Sequence, residues 1–143
     1  MMNVLKISAI TLLVKDMNRS CKFYSKIPGF NLAYGGSPSD LFTSYEIGNS
    51  SHYLNLELSK TMHNNKEQDT RSVVKIILHT DDVDKLYFYF KNDKTISQLI
   101  LFDNEPSNAS WGERYFHLHD PDGYLLSFAK TLNNQKHFDI ISQ

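Results

Sequence analysis

The sequence lacks most of the features that would assign it to a special class. Cys21 is its one cysteine in 143 residues, so no disulfide can form within the chain. No apolar run approaches the roughly 20 residues that a membrane-spanning helix needs, and no basic, apolar leader opens the chain. The expectation is a soluble, cytoplasmic protein without a membrane partner. Charge of one sign is scarce too: 15 Lys and Arg stand against 16 Asp and Glu, for a formal net charge of −1 with no long block of either sign. Such a balance attracts neither nucleic acid nor an anionic lipid surface, which leaves small molecules and other proteins as partners.

What is present suits one core. A chain that is 41% hydrophobic and 13% aromatic can bury roughly two-thirds of its surface at this length. Cys21 falls on an apolar helical stripe with Met17, Tyr24 and Ile27, and is expected to pack there rather than act as a nucleophile.

The clearest stretch runs from Trp111 to Lys130 and reads as a β-hairpin. From Arg114 to His119, Phe116 and Leu118 alternate with Tyr115, His117 and His119; from Tyr124 to Lys130, Tyr124, Leu126 and Phe128 alternate with Leu125, Ser127 and Ala129. Asp120-Pro121-Asp122-Gly123 supplies the turn, proline fixing φ and glycine allowing it to be positive. A calcium loop beginning at Asp120 is excluded, because the twelfth position, which should be acidic, is Thr131.

Upstream, Ile7 to Val14 predicts a strand, and Asp16 caps a helix of about three turns ending before Pro28-Gly29. Strands follow at 30–34, 42–47 and 52–58. Ser59 to Arg71 is almost without apolar residues and reads as a linker. Val73 to Thr80 then predicts a strand, Asp82 a cap, and Val83, Leu86, Tyr87 and Phe90 the buried stripe of a second helix. A strand at 96–102, a polar loop at 103–110 and the hairpin complete the second half. Both halves therefore read β-α-β-β-β. An offset of 66 lays Ala9 on Lys75, Leu12 on Leu78, Asp16 on Asp82 and Tyr24 on Phe90; an offset of 70 lays Leu56-Glu57-Leu58 on Leu126-Ser127-Phe128.

Three motifs together carry a family resemblance: Ile7-x-x-Ile-x-Leu-x-Val-x-Asp16, Phe23-Tyr-x-x-Ile-Pro-Gly-Phe30, and Trp111-Gly with the Asp120-Pro-Asp-Gly-Tyr-Leu-Leu126 hairpin. The chain resembles the glyoxalase/bleomycin resistance/dioxygenase, or vicinal oxygen chelate, superfamily over nearly its whole length. The resemblance implies an α+β fold of two tandem βαβββ modules forming a curved, cup-shaped, mostly antiparallel sheet, usually as a homodimer. On that reading residues 1–143 form one domain: module 1 at about 1–59, a linker at about 60–71, module 2 at about 72–131 and a tail at 132–143.

Alternation assigns Ile10, Leu12, Val14, Ile76 and Leu78 to the helix side. Ala9, Thr11, Asn55, Glu57, Lys75, Ile77, His79, Tyr115, His117, Leu125 and Ser127 go to the side that the resemblance makes the cup. Metal-dependent relatives place His or Glu at four such positions, which read here Ala9, Glu57, Lys75 and Ser127. Alanine and serine offer no imidazole or carboxylate, and an ammonium repels a divalent ion, so neither that metal nor any other cofactor is expected. Lys75 would instead stand where the metal stands and pair with Glu57. His79, His117 and His119 are the candidates for a relocated metal site.

Resemblance to metal-free bleomycin-resistance proteins points to Trp111 for ligand stacking, with Tyr115 and Phe42 beside it and Lys75, Glu57, His117 and Ser127 lining the cup. The implied function is metal-independent binding or sequestration of a small amphipathic or aromatic molecule. The alternative is a divergent lyase, isomerase or dioxygenase-like enzyme with Glu57 or His117 as base. A third reading is an interaction module using Phe88 and Tyr89, which lie off the helix stripe.

Overall fold

A computed structural model describes residues 2–59 and 73–132 of the chain. The expected linker at 60–71, and all of the expected tail except Leu132, lie outside the described residues. The chain divides into two compact units, 1–67 and 68–143, each built on its own sheet. Among the described residues no helix is long and apolar enough to cross a membrane.

Unit 1 comprises β1 (Ala9–Val14), α1 (Met17–Tyr24), β2 (Phe30–Tyr34), β3 (Phe42–Ile47) and β4 (Tyr53–Leu58). The sheet order is β1-β4-β3-β2, with β1 parallel to β4 and the other pairs antiparallel. Asp16 is extended, and its carboxylate accepts the Arg19 amide at 3.0 Å, which starts the helix. Met17, Cys21 and Tyr24 are buried beneath it as the stripe predicts. The helix has eight residues, about two turns rather than three, and Lys26 and Ile27 close it with bonds back to Phe23 and Tyr24. That length has a consequence for β1: a helix of about 12 Å cannot cover a six-residue strand of about 20 Å. Leu12 and Val14 are buried, whereas Ile10, expected on the packed side, is 40% exposed.

Thr43 organises the core of this unit. Its hydroxyl donates to Met17 Sδ at 3.4 Å, receives the Cys21 thiol at 3.7 Å and accepts the Gly36 amide at 3.0 Å. The preceding Gly35, at φ +76°, has no room for a side chain, because a Cβ would overlap the Phe42 carbonyl. Burial, and then the nearby Cys21, push the Tyr45 phenol well above its usual range.

Unit 2 comprises β5 (Lys75–His79), α2 (Val83–Asn92), α3 (Lys94–Ser97), β6 (Leu101–Phe102), β7 (Ser107–Asn108), β8 (Glu113–His119) and β9 (Leu125–Thr131). Its sheet order is β5-β9-β8-β6, with β7 also paired to β8. Asp82 caps α2 by accepting the Lys85 amide at 3.0 Å, and Val83, Leu86, Tyr87 and Phe90 are buried. The strand expected at 96–102 forms only at its last two residues, its start belonging to α3 and a following turn. Asp93 accepts the Ile96 amide at 2.9 Å and starts α3, Ile96 plugs the core completely, and only Leu101 and Phe102 reach β8. The polar loop contributes a short strand instead, β7.

In the hairpin turn Asp120 is buried, and its carboxylate accepts the amides of Asp122 at 2.9 Å and Tyr124 at 2.8 Å. Phe90, Phe116 and Phe128 form an aromatic core with ring centroids 5.3 to 6.2 Å apart. Arg114 forks onto Asp84 of α2 at 2.6 and 2.7 Å, tying the strand to its helix.

Strand pairing corrects the internal alignment. Ala9 pairs with Tyr53 in unit 1 and Lys75 with Leu125 in unit 2. With Ala9 on Lys75, the last strands are therefore offset by 125 − 53 = 72, not 70. Asn55, not Glu57, is the counterpart of Ser127, and Glu57 is the counterpart of Ala129. A slip of two leaves every side chain on the same face, which is why alternation alone does not reveal it.

Candidate functional site

The sheet face of unit 2 turned away from α2 holds the chemistry. β9 runs between β5 and β8, and along it stand Leu125, Ser127 and Ala129. Cross-strand partners share a face, so Lys75, Ile77 and His79 flank this row from β5, and His119, His117 and Tyr115 from β8. Ser127 and Ala129 are small and buried. They form the floor of a trough walled by longer side chains on both sides.

Rings dominate the β8 wall. The indole of Trp111 stacks on Tyr115 at 6.2 Å and 21°, and Tyr115 meets the His117 ring at 4.7 Å. Trp111 is 46% exposed, so it is not a core plug and its outer face is available. Glu113 fastens this end of the trough: one carboxylate oxygen accepts the Trp111 indole N–H at 2.7 Å, and the other lies 3.2 Å from His79 Nε2 across β9. At the other end, His119 bridges Asp103 (Nε2 to Oδ1, 2.9 Å) and the Gly123 carbonyl (Nδ1 to O, 3.2 Å). His117 lies between these pairs. Its backbone is held by the loop, through the Asn104 side chain at 2.8 Å and the Asp103 amide at 2.9 Å. Burial first, then the Lys75 ammonium, lower its pKa below the ordinary 6.5, with Asp103 pulling the other way, so the ring is neutral at physiological pH.

The structure gathers Trp111, Tyr115, His117, Lys75 and Ser127 on this one face. Glu57 and Phe42 are directly paired on the sheet of unit 1. Ala9 and Glu57, two of the family's metal positions, are not neighbours there: Ala9 pairs with Tyr53 and Glu57 with Leu13, four residues further along. Between them Asn55 donates to Thr11 at 3.2 Å. Sequence reasoning missed Glu113 and Asp103. By alternation with Tyr115, Glu113 was within reach, had the strand been started one residue earlier. Asp103 lay in a loop, where alternation has no meaning.

The family's divalent metal does not fit these residues. A methyl group, an ammonium and a hydroxyl stand at three of its four positions, the fourth being Glu57 by sequence and the carboxamide of Asn55 by strand pairing, and among the described residues no three His, Cys, Asp or Glu side chains converge on a point. His79 and His119 are engaged separately, with Glu113 and with Asp103. A polar pocket of ≈ 340 Å³ opens at the start of α2, beside Asp82, Arg114 and Lys130. It lies on the helix side of the sheet, and its Arg114 is already neutralised by Asp84.

Comparison with known proteins agrees with this architecture. Among solved structures the chain is similar to a glyoxalase-related enzyme from Fulvimarina pelagi, with 16% identity, a TM-score of 0.65 and 88% of each chain covered. It is also similar to a glyoxalase/bleomycin resistance protein/dioxygenase from Nocardioides, at 18% identity and TM-score 0.64, covering 94% of this chain and 88% of that one. A family enzyme from Burkholderia phytofirmans PsJN gives 14% identity and TM-score 0.66, over 90% of this chain and 100% of that one. At such identities the likeness is one of fold. No functionally curated protein matches the sequence. The profile of the Glyoxalase/Bleomycin resistance protein/Dioxygenase superfamily matches residues 6–128, nearly the whole chain, and the protein belongs to that superfamily.

Proposed function

We propose that the protein is a metal-independent binding protein that holds a small aromatic or amphipathic molecule against the open sheet face of unit 2. The observation that carries this is the row Trp111, Tyr115 and His117, three rings in succession beside a floor of small side chains. Flat rings offer a planar ligand a large contact area at little cost in side-chain freedom, and the polar groups around them orient it. The donor set at the family's metal positions supports metal independence, since it offers a divalent ion at most one carboxylate and repels it with one ammonium.

Trp111 is the chain's single tryptophan, so its fluorescence reports the site directly. A screen of planar aromatic compounds should yield ligands that quench it and raise the melting temperature equally with and without a chelator. Trp111→Ala should weaken such a ligand about tenfold or more by calorimetry. Binding that disappears with the chelator, or that ignores Trp111→Ala, would overturn the proposal.

A further inference from the structure

The charged groups on this face are not equally engaged. Glu113 is taken up by the Trp111 indole and by His79, and Asp103 by His119. Lys75 is different: it is exposed, and among the described residues its ammonium has no hydrogen bond or ion pair. It stands on β5 across Leu125 from His119, with β9 between it and His117. A ring lying over Tyr115 and His117 holds its substituents above Ser127 and Leu125, toward the end of the trough where the Lys75 ammonium stands.

Charge complementarity then names the ligand class. An exposed cation beside a stacking surface, with both nearby carboxylates already engaged, has an anion as its natural complement. We infer that the ligand is an aromatic carboxylate, stacked on Trp111, Tyr115 and His117, and that Lys75 selects its carboxylate. The inference rests on the aromatic site proposed above and adds the charge of what occupies it. A neutral aromatic gains the stacking alone. The hydroxyl of Ser127, on the floor two residues from Leu125, is the nearest neutral partner for such a group.

The test uses two probes of one shape, 4-nitrobenzoate and 4-nitrobenzamide, titrated calorimetrically against the full chain. The carboxylate should bind about tenfold more tightly than the amide, the worth of one charge-assisted hydrogen bond. Lys75→Met should abolish that preference by weakening the carboxylate alone, and Lys75→Arg should restore most of it. Lys75 is exposed, so neither variant should disturb folding, and a circular dichroism melt verifies this. Trp111→Ala should weaken both probes together. The two ideas fail separately. Equal affinities in the wild type, or a preference that survives Lys75→Met, overturns the charge selection and leaves the aromatic site standing. Indifference of both probes to Trp111→Ala overturns the aromatic site, and absence of binding by either at millimolar concentration overturns both.

Discussion

The two sheets share one plan and carry different chemistry. With Ala9 laid on Lys75 and Asn55 on Ser127, pairing also lays Phe42 on Tyr115, Ser44 on His117 and Glu46 on His119. On the open face, then, serine and glutamate in unit 1 stand where unit 2 has two imidazoles, and leucine at position 13 stands where unit 2 has His79. On the packed side Thr43 takes the place of Phe116 and Tyr24 that of Phe90. Both cores hold rings, Phe23, Tyr24, Phe30 and Tyr45 in unit 1 and Tyr87, Phe90, Phe116 and Phe128 in unit 2, but beside its rings unit 1 also packs a threonine hydroxyl, a thiol and a thioether. Backbone pairing depends on the alternation of sides and not on which side chains are used, so a repeated module can keep its register while one copy acquires a face lined by rings and imidazoles.

The sharpest test of that contrast is in the cores. Phe116 is fully buried against Tyr87, Phe90, Phe102 and Phe128, so Phe116→Ala should cost about 3 to 5 kcal/mol in denaturant unfolding, through lost transfer energy and the cavity left behind. Thr43→Ala removes one hydroxyl and one methyl group and should cost about 1 to 2 kcal/mol. Equal costs at the two positions would mean that the hydrogen-bonded Thr43 contributes as much to its core as the larger Phe116 ring does to the other.

Where the units agree, equal effects are expected. Asp16 and Asp82 are both extended and accept the amide three residues on, each at 3.0 Å. Asp16→Ala and Asp82→Ala should each lower stability by about 1 kcal/mol. A much larger effect at one cap would show that its helix depends on the cap more than on its buried stripe, and would break the equivalence of the two units.

The repeat itself was legible because caps, stripes and strand alternation are local signals. Asp16, Asp82 and the hairpin around Gly123 announce themselves within a few residues. Three things were not local. The strand expected at 96–102 is confined to Leu101 and Phe102 because Asp93 caps a short helix that runs through Ile96, which finds a buried socket, a choice made by packing. An offset of 70 in place of 72 passed unseen because both keep the faces intact. Tyr115, His117, Lys75 and Ser127 could be placed on one face from alternation and Trp111 beside them from the family resemblance, yet their engagement could not. The Glu113 contacts with Trp111 and His79, and the Asp103 contact with His119, join groups that are remote in sequence or sit in a loop, and they are what leaves Lys75 exposed and unengaged.

The smallest effect separates His117 from its counterpart Ser44, which does not titrate. Burial, then Lys75 on β5, with a smaller push from His119 on the same strand, lower the His117 pKa against the opposing pull of Asp103. The folded chain therefore binds this proton less tightly than the unfolded chain, whose imidazole keeps the ordinary 6.5. As pH falls through 6.5 the unfolded state takes up the proton first, so the contribution of His117 to stability is complete above that value and is lost as pH drops toward the folded pKa. His117→Gln should flatten that part of the stability curve, measured by denaturant unfolding between about pH 5 and 8. Lys75→Met removes one of the causes and should move the His117 resonance midpoint upward in an NMR titration. Burial remains after that substitution, so the midpoint should stay below 6.5. A midpoint that does not respond to Lys75→Met would mean that the ammonium is held away from the ring, and would weaken the case for Lys75 as the group that meets a ligand stacked there.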